Sequence, residues 1–251
     1  MYPSSEKLIK RYIGAEDFLN GGEKRYCLWL KDVNKEEWIH IEPIRNRVEA
    51  VAEFRLASTA KPTRDKAKTP ELFFFIPESG KQYLLIPRHS SEKRKYIPIG
   101  FLKSDTIASD ANLIVSDASL YDFAILTSAM HMTWMRTVGG RLKSDYRYSA
   151  SIVYNTFPWP DASEAQKKVV SELADMVLNI RNMYPDKTLA EMYDPDKMPE
   201  PLAEAHHNLD MAVDSLYRNT PFESDEERLQ LLFRLYEKLV AAKNAKEKSH
   251  A

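Results

Sequence analysis

Phe157-Pro158-Trp159-Pro160-Asp161 divides this chain of 251 residues. Proline fixes φ, lacks an N–H and restricts the residue before it, so two prolines in three residues stop any helix or strand from running through. The texture differs on the two sides. Upstream, short apolar and aromatic runs alternate with turn residues. Downstream, apolar residues recur every three or four positions. The pattern predicts an α+β fold in two parts. Residues 1–160 form a mixed β-sheet domain with a central buried helix, and residues 161–251 form a small all-α helical bundle.

Downstream of the break, three helix starts carry the capping-box pattern: Ser163 with Gln166, Thr188 with Glu191, and Ser224 with Glu227. Each supplies side-chain acceptors for backbone N–H groups that have no partner inside the helix. Val169, Val170, Leu173, Val177 and Ile180 make one apolar stripe. Leu202, Leu209, Val213 and Leu216 make a second; Leu229, Leu232, Tyr236 and Leu239 make a third. Three stripes with short links predict a bundle, and residues 242–251 are expected to fray.

Upstream, residues 120–136 are apolar on most sides and predict one central helix, started near Asp117 or Ser119 and stopped by Gly139-Gly140. Residues 146–157 read as β-rich. Residues 25–30 read as a strand after Asn20-Gly21-Gly22, and residues 43–54 as a helix. Residues 71–76 and 81–86 read as a β-hairpin joined through Pro77-Glu78-Ser79-Gly80. Residues 96–101 and 113–115 are further short strands.

Apolar residues make up 43% and charged residues 29% of the chain, which excludes disordered and collagen-like classes. No run of ~18 residues lacks charge, so no membrane span is expected. Glu6, Lys7, Lys10 and Arg11 occupy the place of a signal core, so secretion is not expected. Cys27 is the single cysteine, which excludes an internal disulfide and a Cys-rich zinc site. A reducing cytoplasm fits. The net charge of -1 conceals an asymmetry. Residues 1–160 hold 24 Lys and Arg against 19 Asp and Glu, and residues 161–251 hold 12 against 18. A polyanion-binding first part is the simplest reading.

The search for catalytic motifs is negative. The seven glycines form neither a GxGxxG nor a GxxxxGK[ST] loop, and there is no HExxH. His206 and His207 are adjacent, so on a helix their side chains point about 100° apart and do not share an ion easily. Met130-His131-Met132 reads as core packing around a hydrogen-bonded histidine, and Cys27 as a small core residue.

Two polar segments carry the positive signal. Residues 88–95 join predicted strands and bring four cations and two hydroxyls to one loop, a set suited to phosphate oxygens. Residues 141–148 follow the Gly-Gly stop. If they are extended, Arg141, Lys143, Asp145 and Arg147 share one face with ~6.6–7 Å between neighbours. Lys or Arg donates to guanine O6 and N7, and Asp accepts from cytosine N4. A ladder of surface salt bridges is the other reading of the same strip.

Several ordered motifs resemble a known family. They include Asp17-Phe18-Leu19-Asn20-Gly21-Gly22, Ser90-Ser91-Glu92-x-Arg94-x-Tyr96-Ile97-Pro98, and Ser128-x-Met130-His131-Met132-x-Trp134-Met135-Arg136. Gly140-Arg141-Leu142-Lys143-Ser144-Asp145-Tyr146-Arg147-Tyr148-Ser149 and Val153-Tyr154-Asn155-x-Phe157-Pro158-Trp159-Pro160 follow. Leu189-Ala190-Glu191-Met192-Tyr193-Asp194-Pro195 and Ala205-His206-x-x-Leu209-Asp210 close the series. Together they resemble the target recognition domain and C-terminal helical domain of the adenine-N6 DNA methyltransferases that include the fused type IIL restriction–modification enzymes.

The resemblance implies a recognition part without the catalytic one. The family's Asn-Pro-Pro-Tyr/Phe motif is not found, and Asn155-Thr156-Phe157-Pro158 does not replace it. S-adenosylmethionine is therefore expected in a catalytic domain outside this chain and no cofactor within it. The implied partners are double-stranded DNA and the methyltransferase domain of the same parent protein. The resemblance turns Lys143, Asp145 and Arg147 into major-groove base readers. Asn112, after Asp110, adds a side chain able to pair with adenine. Arg88, Ser90, Ser91, Lys93, Arg94 and Arg141 form the phosphate set. The competing reading is a protein–protein module whose helical half docks a partner through Trp159, Tyr193 and the exposed sides of the bundle, with the basic segment incidental. A stand-alone methyltransferase is a third.

Overall fold

The structure, a computed structural model, describes residues 3–78 and 80–249. Strand β1 (Ile9–Ile13) leads into helix α1 (Ala15–Asn20) and strand β2 (Arg25–Leu28). Helices α2 (Glu42–Leu56) and α3 (Lys61–Asp65) follow. Next come β3 (Gln82–Pro87), β4 (His89–Ser90), β5 (Gly100–Lys103), β6 (Thr106–Ala108) and β7 (Asn112–Ser116). Helices α4 (Leu120–Thr127) and α5 (Ala129–Val138) precede β8 (Gly140–Leu142) and β9 (Asp145–Arg147). A π-helical turn (Ala150–Tyr154) ends the upstream part. The remainder is α6 (Glu164–Asn182), α7 (Leu189–Met192), α8 (Glu200–Ser215) and α9 (Asp225–Ser249).

Three small sheets carry the strands, in the orders β2-β1-β6, β5-β3-β7 and β4-β9-β8. All pairings are antiparallel except the parallel one between β1 and β6. Strand β3 is the apolar run of the sequence, and both of its faces are covered. Leu84 and Ile86 face the main core, while Tyr83 and Leu85 pack with Ile13 and Ala108 in a second cluster.

Four expectations need correction. First, residues 71–76 form no strand, and β3 pairs with β5 and β7 instead. Arg55 explains why. Its guanidinium is buried and donates to the carbonyls of Lys66 at 2.9 Å, Thr69 at 2.9 Å and Leu72 at 2.8 Å. These bonds hold the segment as turns, and Phe73 packs on Tyr12 and Trp29 as a loop anchor. Second, the central helix is two helices. The Ser128 hydroxyl donates to Ile125 O at 2.7 Å and accepts the His131 N–H at 3.3 Å. One side chain thus closes α4 and caps α5, and the backbone between them is extended. Third, β structure in residues 146–157 is confined to the end of β9, because the π turn follows. Fourth, Cys27 is half-exposed at a groove, not core.

The helical part forms as expected from its local signals. Capping boxes close at Ser163 and Thr188. At Ser224 only half forms: the Glu227 N–H reaches its hydroxyl at 3.4 Å, but the Glu227 carboxylate turns to the Glu223 N–H and to Arg218. Val169 and Leu239 leave their stripes and are exposed. Helix α9 runs on through residues expected to fray, and 250–251 lie outside the described residues. The two parts do not have separate interiors. Ile86, Phe123 and Trp134 share one apolar cluster with Val170, Val177, Leu209, Val213 and Leu232. Among the described residues, no helix is long and apolar enough to cross a membrane.

Candidate nucleic-acid interface

The site is the outer face of the sheet β4-β9-β8. The strip at 141–148 is not one extended strand. It is a hairpin with Leu142 opposite Asp145 and two turn residues, Lys143 and Ser144. Antiparallel register therefore decides which side chains share a face. Arg141 lies opposite Tyr146 and shares its side, with the guanidinium 4.2 Å from the ring centroid. It also donates to Ser144 O at 3.0 Å and lies 3.7 Å from the Glu92 carboxylate. The expected row of four is corrected accordingly. Asp145 and Arg147 point outward, Lys143 stands at the hairpin tip with φ of 56°, and Arg141 is turned to the other side.

The support beneath this face is buried and hydrogen-bonded. Tyr146 is buried, and its hydroxyl donates to Glu92 O at 3.1 Å. Tyr148 is buried too, and its hydroxyl meets His131 Nε2 at 2.8 Å. Burial pushes the His131 imidazole down to about 3 and the Tyr148 phenol up, so both are neutral struts. The Tyr148 N–H donates to Arg88 O at 2.7 Å, which ties β9 to the start of β4.

Asp145 Oδ1 accepts a long bond from the Glu92 N–H at 3.4 Å. Among the described residues it makes no ion pair with Arg141, Lys143 or Arg147. Lys143, Arg147 and Lys93 have no side-chain partner there either, and all three are exposed.

The remaining predicted residues divide. Ser91 is half-buried and its hydroxyl accepts the Lys93 N–H at 3.3 Å, shaping the turn. Arg88 is half-buried and spends Nε on Asp110 O at 2.7 Å. Arg94 is half-buried and reaches Ser90 Oγ at 3.5 Å; burial lowers its pKa. Ser90 faces inward and is buried, which removes it from the phosphate set. Asn112 is also removed as a base reader. It is buried, and its Nδ2 donates to Ile13 O and Ser109 Oγ, both at 3.3 Å. The polar turn that suggested it is folded against β1.

Sequence reasoning missed the residues that brace the interface from the helical part. Arg136 donates to Lys95 O at 2.6 Å and lies 3.3 Å from Asp225 of α9, joining the basic loop to the bundle. Tyr96 donates to Asp210 at 2.6 Å. No local signal marks these contacts, because they connect residues 89 and 114 positions apart. Among the described residues, no group of three or more His, Cys, Asp or Glu is placed to hold a metal ion.

An α+β domain that displays a polar strand face with no ion pair among Lys143, Asp145 and Arg147, fused through its core to a helical bundle, has the build of a target recognition domain with its C-terminal helical domain. Residues 1–161 match the MmeI target recognition domain and residues 162–243 the MmeI C-terminal domain, and the chain belongs to this family. It is similar to the type IIL restriction–modification enzyme MmeI, solved in complex with DNA, with 45% identity and a TM-score of 0.88. That match covers 95% of this chain and 32% of the other. It is also 42% identical over 238 residues to DNA methyltransferase A of Bacillus subtilis (strain 168), covering 95% of this chain and 27% of that protein. The chain thus spans about a third or less of the length of these relatives.

Proposed function

We propose that this chain is the sequence-recognition part of an adenine-N6 DNA methyltransferase or a fused type IIL restriction–modification enzyme, and that the outer face of β4-β9-β8 enters the major groove of duplex DNA. The observation that carries this reading is that Lys143, Asp145 and Arg147 form no ion pair with one another among the described residues, the nearer charge to Asp145 being the half-buried Arg94. A salt-bridge ladder would neutralise Asp145 against Arg147 or Lys143, and among the described residues it does not. The major groove admits a two-stranded β-ribbon, and the antiparallel β8–β9 hairpin is one, with β4 along its flank. In the groove, Arg147 and Lys143 donate to guanine O6 or N7, and Asp145 accepts from cytosine N4. Lys93 neutralises phosphate at the rim; Ser91, Arg88, Arg94 and Arg141 set the loop and hairpin that carry these groups.

Methyl transfer belongs to a catalytic domain outside this chain, with the cofactor bound there. S-adenosylmethionine does not fit the residues present: Gly14 is the glycine between a strand and a helix beside a parallel pairing, but no GxGxxG surrounds it and its N–H is taken by the Asp17 carboxylate at 2.8 Å. A cytoplasmic setting, where DNA is available, completes the reading. The rival protein–protein module loses Tyr193 as an anchor and keeps a half-buried Trp159 and exposed apolar side chains of the bundle such as Met183. Tyr193 is buried and Trp159 packs on Phe157 and Tyr154.

The test is a fluorescence titration of this chain with mixed-sequence duplex at ~50 and ~200 mM salt. Binding that weakens steeply with salt is expected. Absence of binding at the lower salt sinks the proposal. Placed in the parent enzyme, Asp145→Ala is expected to relax the methylated sequence at one position, and an unchanged sequence would overturn the assignment of Asp145.

A further inference from the structure

Strand register brings one more side chain to the recognition face. β4 flanks β9 on the side away from β8, and His89 is directly opposite Arg147. Opposed residues of an antiparallel pair project to the same side with Cβ atoms ~4.5–5.5 Å apart. His89 therefore stands beside Arg147. Its neighbours in sequence turn away: Ser90 is buried, and Arg88 spends Nε on Asp110 O.

Three observations separate His89 from an ordinary surface histidine. It is exposed, on a short strand whose next residue is buried. Its ring has no partner among the described residues, in contrast to the buried His131 and His206, whose Nε2 atoms each meet a tyrosine hydroxyl. On the opposite flank of Arg147 the register places Gly140, which has no side chain. His89 is thus the side chain that borders Arg147 across the sheet.

We propose that His89 is a specificity-determining residue, whose ring N–H donates to purine N7 or guanine O6 in the major groove beside the base that Arg147 contacts. The inference rests on the reading that this face enters the groove. An imidazole always carries at least one N–H donor, in either tautomer or when protonated. Its lateral offset of ~5 Å from Arg147 compares with the ~3.4 Å rise per base pair, so the two side chains address adjacent positions.

The experiment incubates the full chain with a randomised duplex pool at low salt and sequences the bound fraction. Four proteins are compared: the unaltered chain, His89→Ala, His89→Gln and Arg147→Ala. Thermal melting of each controls for folding, which an exposed side chain should not disturb. His89→Ala is expected to flatten the preference at one position by about tenfold and leave the others intact. His89→Gln, which pairs bidentately with adenine, is expected to move that position toward adenine. An unchanged profile for His89→Ala, or equal weakening on all sequences, overturns the inference when Arg147→Ala still alters its own position. If Arg147→Ala also leaves the profile unchanged, or the unaltered chain enriches no sequence, the groove reading itself falls.

Discussion

Asp210 and Ala129 join the two parts of the molecule. The Asp210 carboxylate, from α8, accepts the backbone N–H of Ala129, the first residue of α5, at 2.7 Å. The far end of α5 runs into β8, so this bond anchors the helix that leads into the β8–β9 hairpin.

The same contact sets a pH dependence. Burial holds the Asp210 carboxyl up at about 6, against an ordinary 3.8. A raised carboxyl means that the folded state binds the proton more tightly than the unfolded one. Its contribution to stability is therefore full below pH ~4 and declines as pH rises to ~6. Asp210→Asn is expected to flatten the urea-denaturation midpoint over this window while keeping an acceptor for Ala129. Asp210→Ala leaves the Ala129 N–H and the Tyr96 hydroxyl without a partner and is expected to cost about 2–4 kcal/mol near pH 4, and less as the pH rises to ~6.

Arg181 makes a second bond between the parts. From α6 it donates to Ile99 O and, through Nε, to the Tyr193 hydroxyl, both at 2.6 Å. The guanidinium lies over the rings of Phe123 and Tyr193. Arg181→Ala empties this site and orphans a buried carbonyl. Thermal unfolding should show a loss of about 3 kcal/mol, and a loss under 1 kcal/mol would mean that the network is incidental.

Base and phosphate contacts should separate in binding data. Lys93→Ala is expected to weaken all duplexes alike and to reduce the salt dependence by about one counterion. Asp145→Ala is expected to change discrimination at a single base pair by about 1–3 kcal/mol. Competition titrations with single-position duplex variants, at two salt concentrations, distinguish the two patterns.

Lys143 exchanges stability for position. Its φ of 56° lies in the left-handed region, where a side chain costs about 1 kcal/mol relative to glycine. Lys143→Gly is expected to raise the melting temperature slightly and to lose preference at one base pair. A variant that is less stable would show that the lysine side chain has a packing role.

Signals within one helical turn mostly survived folding, although at Ser224 the Glu227 carboxylate turns to Arg218 instead of closing the box. The boxes at Ser163 and Thr188 formed because donor and acceptor are three residues apart and need no tertiary partner. Pro158 and Pro160 act locally too, and no helix or strand runs through them. Longer-range assignments fared differently. Residues 71–76 have the composition of a strand, yet Arg55 holds that region as turns through three carbonyls. Ser128 looks like any residue of an apolar helix, yet it divides α4 from α5.

The sequence by itself determined the helices of the second part, the caps at Ser163 and Thr188, the stop at Pro158 and Pro160 and the set of polar residues available for recognition. Each of these follows from covalent restriction or from bonds between near neighbours. Only the tertiary structure decided that Arg141 turns away from Asp145 and that Asn112 and Ser90 are buried. It alone placed His89 beside Arg147 and merged the two parts into one core. Strand register and burial depend on contacts between residues distant in the chain, and no local pattern encodes which side of a hairpin faces water.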